Sequence, residues 1–245
     1  MLRIKDPSNF RRTLVGLSLI VAPLILLAAS IIEPTSEGDE AREWLPKLAE
    51  EPGRNDAATT LFIVGFVLLV PALIGLVHLI RERGIVLAHI GGVLAVLGSI
   101  LYPVLFSTTF YDLSLAENLP IDQAVAAQEG TEDYVGVYFI FIPAIVGWTL
   151  GLILLSIALI RARIAPVWFL VLVILANAAI FVGAGESTIV AALGALLLLV
   201  AFGSLGLKVL GMSDADWDDP RRLGAAPAPA APAGEPPSGA PPPTA

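Results

Sequence analysis

The two histidines of the chain, His78 and His89, lie in the stretch HLIRERGIVLAH, on either side of a turn that begins with the charged residues 81–83. Imidazole side chains can ligate haem or a metal ion, and they exchange protons near neutral pH. Equal distance from one turn predicts equal depth on two adjacent helices. Each histidine shares a helical face with glycine, which is typical of faces where membrane helices meet. We therefore expect both rings to point into a bundle as a candidate gate or ligand pair.

Three uses of this pair stay open: a structural or interfacial role, a proton-sensitive gate, and a haem site. A zinc site needs three or four protein ligands, and only Glu82 lies at helical spacing from His78, so no metal site is predicted. Two imidazoles around a haem need more room than the 8–10 Å between packed helices, although glycine faces relieve the crowding. Haem is thus the one cofactor left open, and none is required. No nucleophile–base or nucleotide-binding motif is present, so we expect no enzyme.

The elements that position the histidines are six apolar runs without charged residues. The chain is 56% hydrophobic and 15% charged, whereas soluble domains carry about 25% charged residues. Each run has the roughly 20 residues that a helix needs to cross the hydrocarbon of a bilayer. The predicted fold is all-α, a polytopic six-transmembrane-helix bundle with spans at 13–32, 57–80, 84–111, 134–160, 164–185 and 187–207.

The distribution of positive charge predicts the orientation of this bundle. With residues 1–12 in the cytoplasm, 11 of the 14 basic residues fall on the inner side, as the positive-inside rule requires. These eleven are Arg3, Lys5, Arg11, Arg12, Arg81, Arg83, Arg161, Arg163, Lys208, Arg221 and Arg222. We expect a multi-pass protein of a bacterial inner (cell) membrane with both termini cytoplasmic. The first span is predicted to be an uncleaved helix; cleavage as a signal peptide is the alternative.

The two long outer loops, 33–56 and 112–133, are acidic. Apolar residues at helical spacing from Ala41 to Ala49 predict an amphipathic helix at the interface, kinked or divided at Pro46, with Trp44 as the interface anchor. A solvated acidic loop is the alternative. In the second loop, Ser114 and Glu117 have capping-box spacing, and a short helix is expected after Pro120. Together the loops predict an acidic cap over the outer mouth.

The last segment, 208–245, is predicted to be a cytoplasmic tail. Residues 225–245 are almost only Ala, Pro and Gly, so they bury too little apolar surface to fold and are expected to be disordered. An inert tail is favoured over a polyproline-binding motif at Pro229 and Pro232. Residues 1–12 form the short N-terminal segment, and 13–207 form the membrane domain.

Few polar groups lie within the spans, and none of them is a midplane carboxylate, which argues against a charge-coupled carrier. Gly147 and Gly151 form a GxxxG motif for close helix packing, and Asn177 is expected to bond to a neighbouring helix. Four prolines lie within four different spans and predict kinks that either serve packing or line a pathway; they are Pro23, Pro71, Pro103 and Pro143.

These features favour a non-enzymatic scaffold or sensor module. A small-solute permease using the proline-kinked helices is the alternative, and a haem-binding membrane protein through His78 and His89 is a third hypothesis. The expected partners are the lipid bilayer and another membrane protein. Nucleic acid is excluded as a partner because the sequence shows no basic patch and the net charge is −8. The oligomeric state stays open.

Overall fold

The computed structural model describes residues 6–34, 40–132, 134–183 and 187–220. Within these ranges the chain forms helices and no strand. The helices are α1 (Pro7–Ile32), α2 (Ala41–Glu50), α3 (Pro52–Leu79), α4 (Ile85–Asn118), α5 (Ile121–Glu132), α6 (Val135–Arg161), α7 (Val167–Gly183), α8 (Thr188–Gly211) and α9 (Asp214–Asp218). The predicted disordered stretch 225–245 lies outside the described residues, and so do Arg3, Lys5, Arg221 and Arg222 of the inner basic set.

Five helices, α1, α3, α4, α6 and α8, are long and apolar enough to cross a membrane. The prediction of an all-helical membrane protein is therefore confirmed at the level of its class. The sixth predicted span, 164–185, corresponds to α7, an apolar helix of 17 residues. At 1.5 Å per residue α7 is roughly 25 Å long, which is shorter than the hydrocarbon of a typical bilayer. The count of six spans stays a prediction.

These five helices and the shorter α7 pack in a closed ring. Helices α1, α3, α4, α6, α7 and α8 each contact the next in this order, and α8 returns to α1. One continuous apolar core joins them. Short connections favour contact between neighbours in the chain, so this ring is the simple arrangement for a series of antiparallel helices.

Two kinds of contact hold the ring together. Between α4 and α6 the backbones touch: a Cβ atom added at Gly151 would lie 2.3 Å from the backbone N of Ala95, and one at Gly147 would lie 2.8 Å from the carbonyl of Leu94. Between α3 and α4 aromatic rings fill the space. The rings of Phe62 and Phe106 stack at 4.5 Å, as do those of Phe66 and Tyr102 at 4.7 Å, and Trp148 of α6 packs edge-on against Phe66 at 5.0 Å. Small residues thus allow close contact between α4 and α6, whereas aromatic rings fill a wider space between α3 and α4.

The two ends of the ring differ, and we name them by their residues. At the arginine end, the turn between α3 and α4 lies against the last turn of α6, close to Arg161, and Arg12 bonds to the carbonyl of Leu210. At the cap end, α2 and α5 cover the ends of α3 and α4, and Thr188 at the start of α8 reaches Glu33. Helices α1 and α8 run antiparallel from one end to the other.

Several element boundaries differ from the sequence predictions. Helix α4 continues to Asn118, so Ser114 and Glu117 lie inside a helix and do not form a capping box. Helix α2 runs unbroken through Pro46. The predicted segments at the two chain ends are also partly helical: residues 7–12 belong to α1, and residues 208–218 hold the end of α8 and then α9. The loop 112–133 is mostly helix.

Polar side chains within the long apolar helices bond mainly to their own helix. Six of them donate to a backbone carbonyl three or four residues earlier: Ser30, Ser107, Thr108, Ser156, Asn177 and Ser204. Asn177 was expected to bond to a neighbouring helix, and its amide donates instead to the carbonyl of Val173, 2.8 Å away. These six groups are satisfied within their own helices, whereas the buried hydroxyl of Ser99 in α4 has no hydrogen-bond partner among the described residues. Packing between these helices therefore depends mainly on shape.

Candidate functional site

His78 lies at the arginine end, where it holds the short helix α9 against α3. Its Nε2 atom lies 3.1 Å from the carbonyl oxygen of Trp217, and its Nδ1 atom lies 2.9 Å from Nη2 of Arg81. A neutral ring with its hydrogen on Nε2 donates to the carbonyl and accepts from the guanidinium. The imidazole also packs against the indole of Trp217, with ring centroids 4.9 Å apart. His78 therefore acts as a bridge between two helices.

His89 faces the outside of the bundle and does not join His78. Its side chain is exposed, and its Nδ1 atom lies 2.8 Å from the carbonyl of Ile85 on its own helix. The expectation that both rings point inward is wrong for His89. The buried face of α4 is centred on Ala88, Gly92 and Ala95, and His89 follows Ala88 by one residue, about 100° around the helix.

The two histidines therefore do not form one site in the structure. Each ring takes different partners, and the nitrogens of His78 are both engaged. In the described part of the chain, no group of three or more His, Cys, Asp or Glu residues is placed to hold a metal ion.

Helix α9 is fixed by a set of polar contacts to the start of α1. Arg12 donates from Nε to Asp214 (2.9 Å) and from Nη1 to the carbonyl of Leu210 (2.7 Å). The hydroxyl of Ser8 donates to Asp218 (2.7 Å). Trp217 is 2% exposed and belongs to the main core. The charged stretch after α8 is thus an ordered plug at the arginine end.

At the cap end a second, smaller apolar core, which we call the cap cluster, holds α2 and α5 on the end of α4. Its buried members are Leu45, Leu48, Leu115, Ala124 and Val125. The apolar face predicted for the first outer loop is therefore real, but it packs on protein. Trp44, the predicted interface anchor, is half-buried against the cap cluster.

Beneath α2 lies a small polar cavity of about 160 Å³, which we call the cap-end cavity. Two carboxylates line it, Glu33 after the last turn of α1 and Asp112 in the last turns of α4, together with Asn55, Thr59 and Thr109. The Asn55 amide is buried and donates to the carbonyls of Leu48 (3.0 Å) and Glu51 (3.3 Å), which joins α2 to α3. The cavity is thus walled by four helices.

Glu33 is the polar group most altered by this environment. Burial raises the pKa of Glu33 from its ordinary value to about 7, because desolvation disfavours the charged carboxylate. Its backbone carbonyl lies 3.5 Å from the hydroxyl of Thr188 at the start of α8. The carbonyl just before it, that of Ile32, accepts from Arg54 of α3 at 3.1 Å. Glu33 is therefore a proton-binding group at the meeting point of α1, α3 and α8.

A second polar cavity, of about 490 Å³, adjoins the first because Glu33 and Pro34 line both. The charged residues that face Glu33 across it come from α2 and from the start of α3: Lys47, Glu50, Glu51 and Arg54. Arg54 forms an ion pair with Glu51, the residue that directly precedes α3. Acidic and basic groups thus alternate around Glu33.

Sequence reasoning missed the cap-end cavity, although the sequence carried a signal for it. Glu33 and Asp112 are each the first charged residue after a predicted span, and both spans were predicted to end on the outer side. Among the remaining predicted residues, Gly147 and Gly151 lie at the α4–α6 contact, and the four prolines each lie within one uninterrupted helix. Whether the prolines serve packing or line a pathway stays a prediction.

Comparisons of the chain with protein-family models, with curated proteins and with solved structures found no match.

Proposed function

We propose that the chain is a non-enzymatic sensor module of a bacterial inner membrane, with the cap end outside and the arginine end in the cytoplasm. In this proposal α7 is the sixth span. The orientation rests on the excess of Lys and Arg in the short connections of the arginine end. The carrying observation is that one helix pair, α1 and α8, connects Glu33 in the cap-end cavity with the docking site of α9.

The contacts along this helix pair support a coupled response. At the cap end, Thr188 of α8 meets the carbonyl of Glu33. In the arginine half, Gly16 and Gly206 bring the two backbones into contact: a Cβ atom at Gly206 would lie 2.8 Å from the carbonyl of Gly16. At the arginine end, Arg12 holds both Leu210 and Asp214. Because packed helices shift as bodies and do not compress, a change at Glu33 is expected to alter the seat of α9.

The cap-end cavity provides an input for such a sensor. A carboxyl whose pKa is near 7 changes its charge over the range in which an outer compartment acidifies. Loss of the Glu33 charge also alters its interaction with Lys47 and Arg54, which face it, and with Asp112 across the smaller cavity. The output is the ordered plug of α9 and the segment after it, which we propose contacts another membrane protein.

Aromatic packing favours this proposal over the permease. The rings of Phe62, Phe66, Tyr102, Phe106 and Trp148 fill the space between α3, α4 and α6 near the helix centres. The two polar cavities described above lie at the cap end. A pathway for solutes would have to displace this aromatic group.

The test measures the position of α9 as a function of pH. The chain has no cysteine, so Leu24→Cys near the middle of α1 and Ala215→Cys in α9 allow spin labels at two exposed sites. Labelled full-length protein in lipid nanodiscs is measured by double electron–electron resonance at pH 8 and pH 6. We expect the distance distribution to shift, the shift to vanish in Glu33→Gln, and the shift to persist in Glu40→Gln, which alters an exposed outer carboxylate.

Two results would overturn the proposal. One is an unchanged distance distribution between pH 8 and pH 6. The other is solute flux through the protein in liposomes that is lost when the aromatic residues between α3 and α4 are changed, which would establish the permease.

A further inference from the structure

The arginine end contains a cavity of about 340 Å³ that the sensor proposal does not use. We call it the arginine-end cavity. Its lining includes five basic residues, Arg81, Arg83, Arg161, Arg163 and Lys208, and Glu82 is the one acidic residue among its described lining residues. The sequence shows no basic patch, because these residues are spread over 128 positions of the chain. The fold collects them into one strongly cationic pocket.

Two tight turns and one hydrogen bond bring the basic residues together. Gly84 has φ +85° and allows the α3–α4 turn to approach α6 closely; a Cβ atom there would lie 3.1 Å from the carbonyl of Ala158. The α6–α7 turn places Arg163 at φ 60°. Lys208 of α8 donates from Nζ to the carbonyl of Ile164 (2.6 Å), which fixes α8 to this second turn. The cavity is thus built by the fold, with walls from these two turns and from the last part of α8.

The chemistry of the lining fits a phosphate group. Guanidinium groups bind phosphate oxygens through paired, charge-assisted hydrogen bonds, and several of them around one cavity are typical of phosphate recognition. The five basic side chains are all exposed, so an anion can reach them. A cavity of this volume lies at the lower end of the range for small-molecule sites. It suits one headgroup and does not offer the extended surface that a nucleic acid needs.

The surroundings of the cavity indicate that the phosphate belongs to a lipid. Next to the basic turns, apolar side chains face outward: Val86 at the start of α4, Val167 and Trp168 at the start of α7, and Leu207 near the end of α8 are 44–68% exposed. Tryptophan is enriched at the headgroup level of membranes. A lipid held here by its phosphate would lay its acyl chains along these side chains. A free phosphate ion would leave them without a partner.

We propose that the arginine-end cavity binds the phosphate-bearing headgroup of an anionic phospholipid, with the acyl chains against the exposed apolar faces of α7 and α8. Arg83, Arg161 and Arg163 supply the anion contacts, Lys208 holds the wall, and Arg81 joins the cavity to His78. The lipid would thereby stabilise the same end of the bundle at which α9 docks.

The experiment titrates delipidated full-length protein in a neutral detergent with dioctanoyl phosphatidylglycerol and, separately, with dioctanoyl phosphatidylcholine. Binding is followed by native mass spectrometry. We expect phosphatidylglycerol to bind more tightly, and Arg83→Gln and Arg161→Gln each to weaken it about fivefold, which corresponds to about 1 kcal/mol per basic residue. Arg11→Gln is the matched control, because Arg11 is exposed on α1 and does not line the cavity. We expect Arg11→Gln to change the affinity less than twofold.

Further arms separate the lipid from free phosphate and from general charge. Inorganic phosphate and pyrophosphate are expected to compete only weakly, because they lack acyl chains. Arg161→Lys keeps the charge and loses the paired hydrogen bonds, so an intermediate affinity is expected. Equal binding of the two lipids would overturn the proposal, and so would an equal loss in Arg11→Gln. Competition by pyrophosphate as strong as by the lipid would assign the cavity to a soluble anion. The wild-type comparison of the two lipids decides even where a variant is unstable.

Discussion

The cap end and the arginine end close the same six-helix ring in opposite ways. At the cap end, two added helices and a separate apolar cluster cover a small cavity that holds carboxylates. At the arginine end, tight turns leave an open basic cavity, and the short helix α9 is held by polar contacts and one indole. The helices of the cap have an apolar cluster of their own, whereas α9 is anchored by Trp217, which belongs to the main core of the bundle.

This difference indicates how each end depends on the rest of the molecule. The cap cluster has contacts among α2, α4 and α5 that are largely its own, so it is expected to withstand changes in the bundle. Helix α9 has five residues and cannot be stable alone. Its position depends on α1, α3 and α8, and it is therefore the part that can report a change in their packing.

The largest loss of stability is expected from a substitution at the α4–α6 contact, on which both ends of the bundle depend. Gly151→Leu would place a side chain where a single Cβ atom already lies 2.3 Å from the backbone of Ala95. Helices α4 and α6 would have to separate, at a cost of about 3 kcal/mol or more. The measurement is thermal unfolding in detergent. Gly136→Leu in the same helix is the control, because nothing lies within 4 Å of a Cβ atom there; an equal loss in both variants would contradict the prediction.

The next largest effect is a loss of stability at the arginine end that leaves the cap end unchanged. Trp217→Ala removes the buried indole that anchors α9, a truncation that costs about 3 kcal/mol in a packed core. We expect faster hydrogen exchange at residues 213–218 and unchanged exchange in α2 and α5. Trp168→Ala, at a site that is 44% exposed, is expected to leave both regions unchanged. Faster exchange at the cap in Trp217→Ala would show that the ends are not independent in stability.

The two ends are also expected to differ in the stability that each gains from an ion pair. Arg12 and Asp214 at the arginine end are 12% and 37% exposed, whereas Arg42 and Asp122 at the cap are 57% and 77% exposed. We expect Arg12→Gln to cost about 2 kcal/mol because Asp214 and the carbonyl of Leu210 lose a charged donor. Arg42→Gln is expected to cost about 0.5 kcal/mol, as exposed pairs do. Equal costs, measured by thermal unfolding, would refute the ranking.

The smallest effect concerns pH at the cap end. The pKa of Glu33 is raised to about 7 in the folded protein, so between its ordinary value and 7 the folded state binds more protons than the unfolded state. Stability must then fall as pH rises through this window. We expect wild type to lose on the order of 1 kcal/mol between pH 5 and pH 8, after allowance for solvent. Glu33→Gln should reduce this loss, and Glu40→Gln should keep it.

Much of the fold could be predicted because lipid imposes a simple rule on sequence. Runs without charge predicted the long apolar helices, and the ends predicted at Ile80 and Ile160 came within one residue of the structure. The end of α4 at the cap was missed because the residues after Tyr111 include charged and polar residues, while no proline follows before Pro120. Polarity marks the edge of the hydrocarbon and does not by itself end a helix.

The sites were harder to predict because they depend on contacts distant in sequence. His78 bonds to Trp217, 139 residues away, and no local pattern carries that pairing. The direction of His89 depended on a rotation of one residue around α4, where adjacent pairs of small residues make the buried face broad. The basic cavity depends on two turns and the last part of α8, which are far apart in sequence. The GxxxG motif could be recognised within the sequence of α6 alone, but the surface of α4 that packs against it could not.

The polar side chains that bond back to their own helix have a consequence for how the protein is made. Ser30, Ser156 and Asn177 have their hydrogen bonds before any neighbouring helix arrives. Such local hydrogen bonds lower the cost of placing these side chains in hydrocarbon before the helices pack against one another. Assembly can then follow as a separate step in which glycine surfaces find one another. The order of biosynthesis and the order of packing are thereby decoupled.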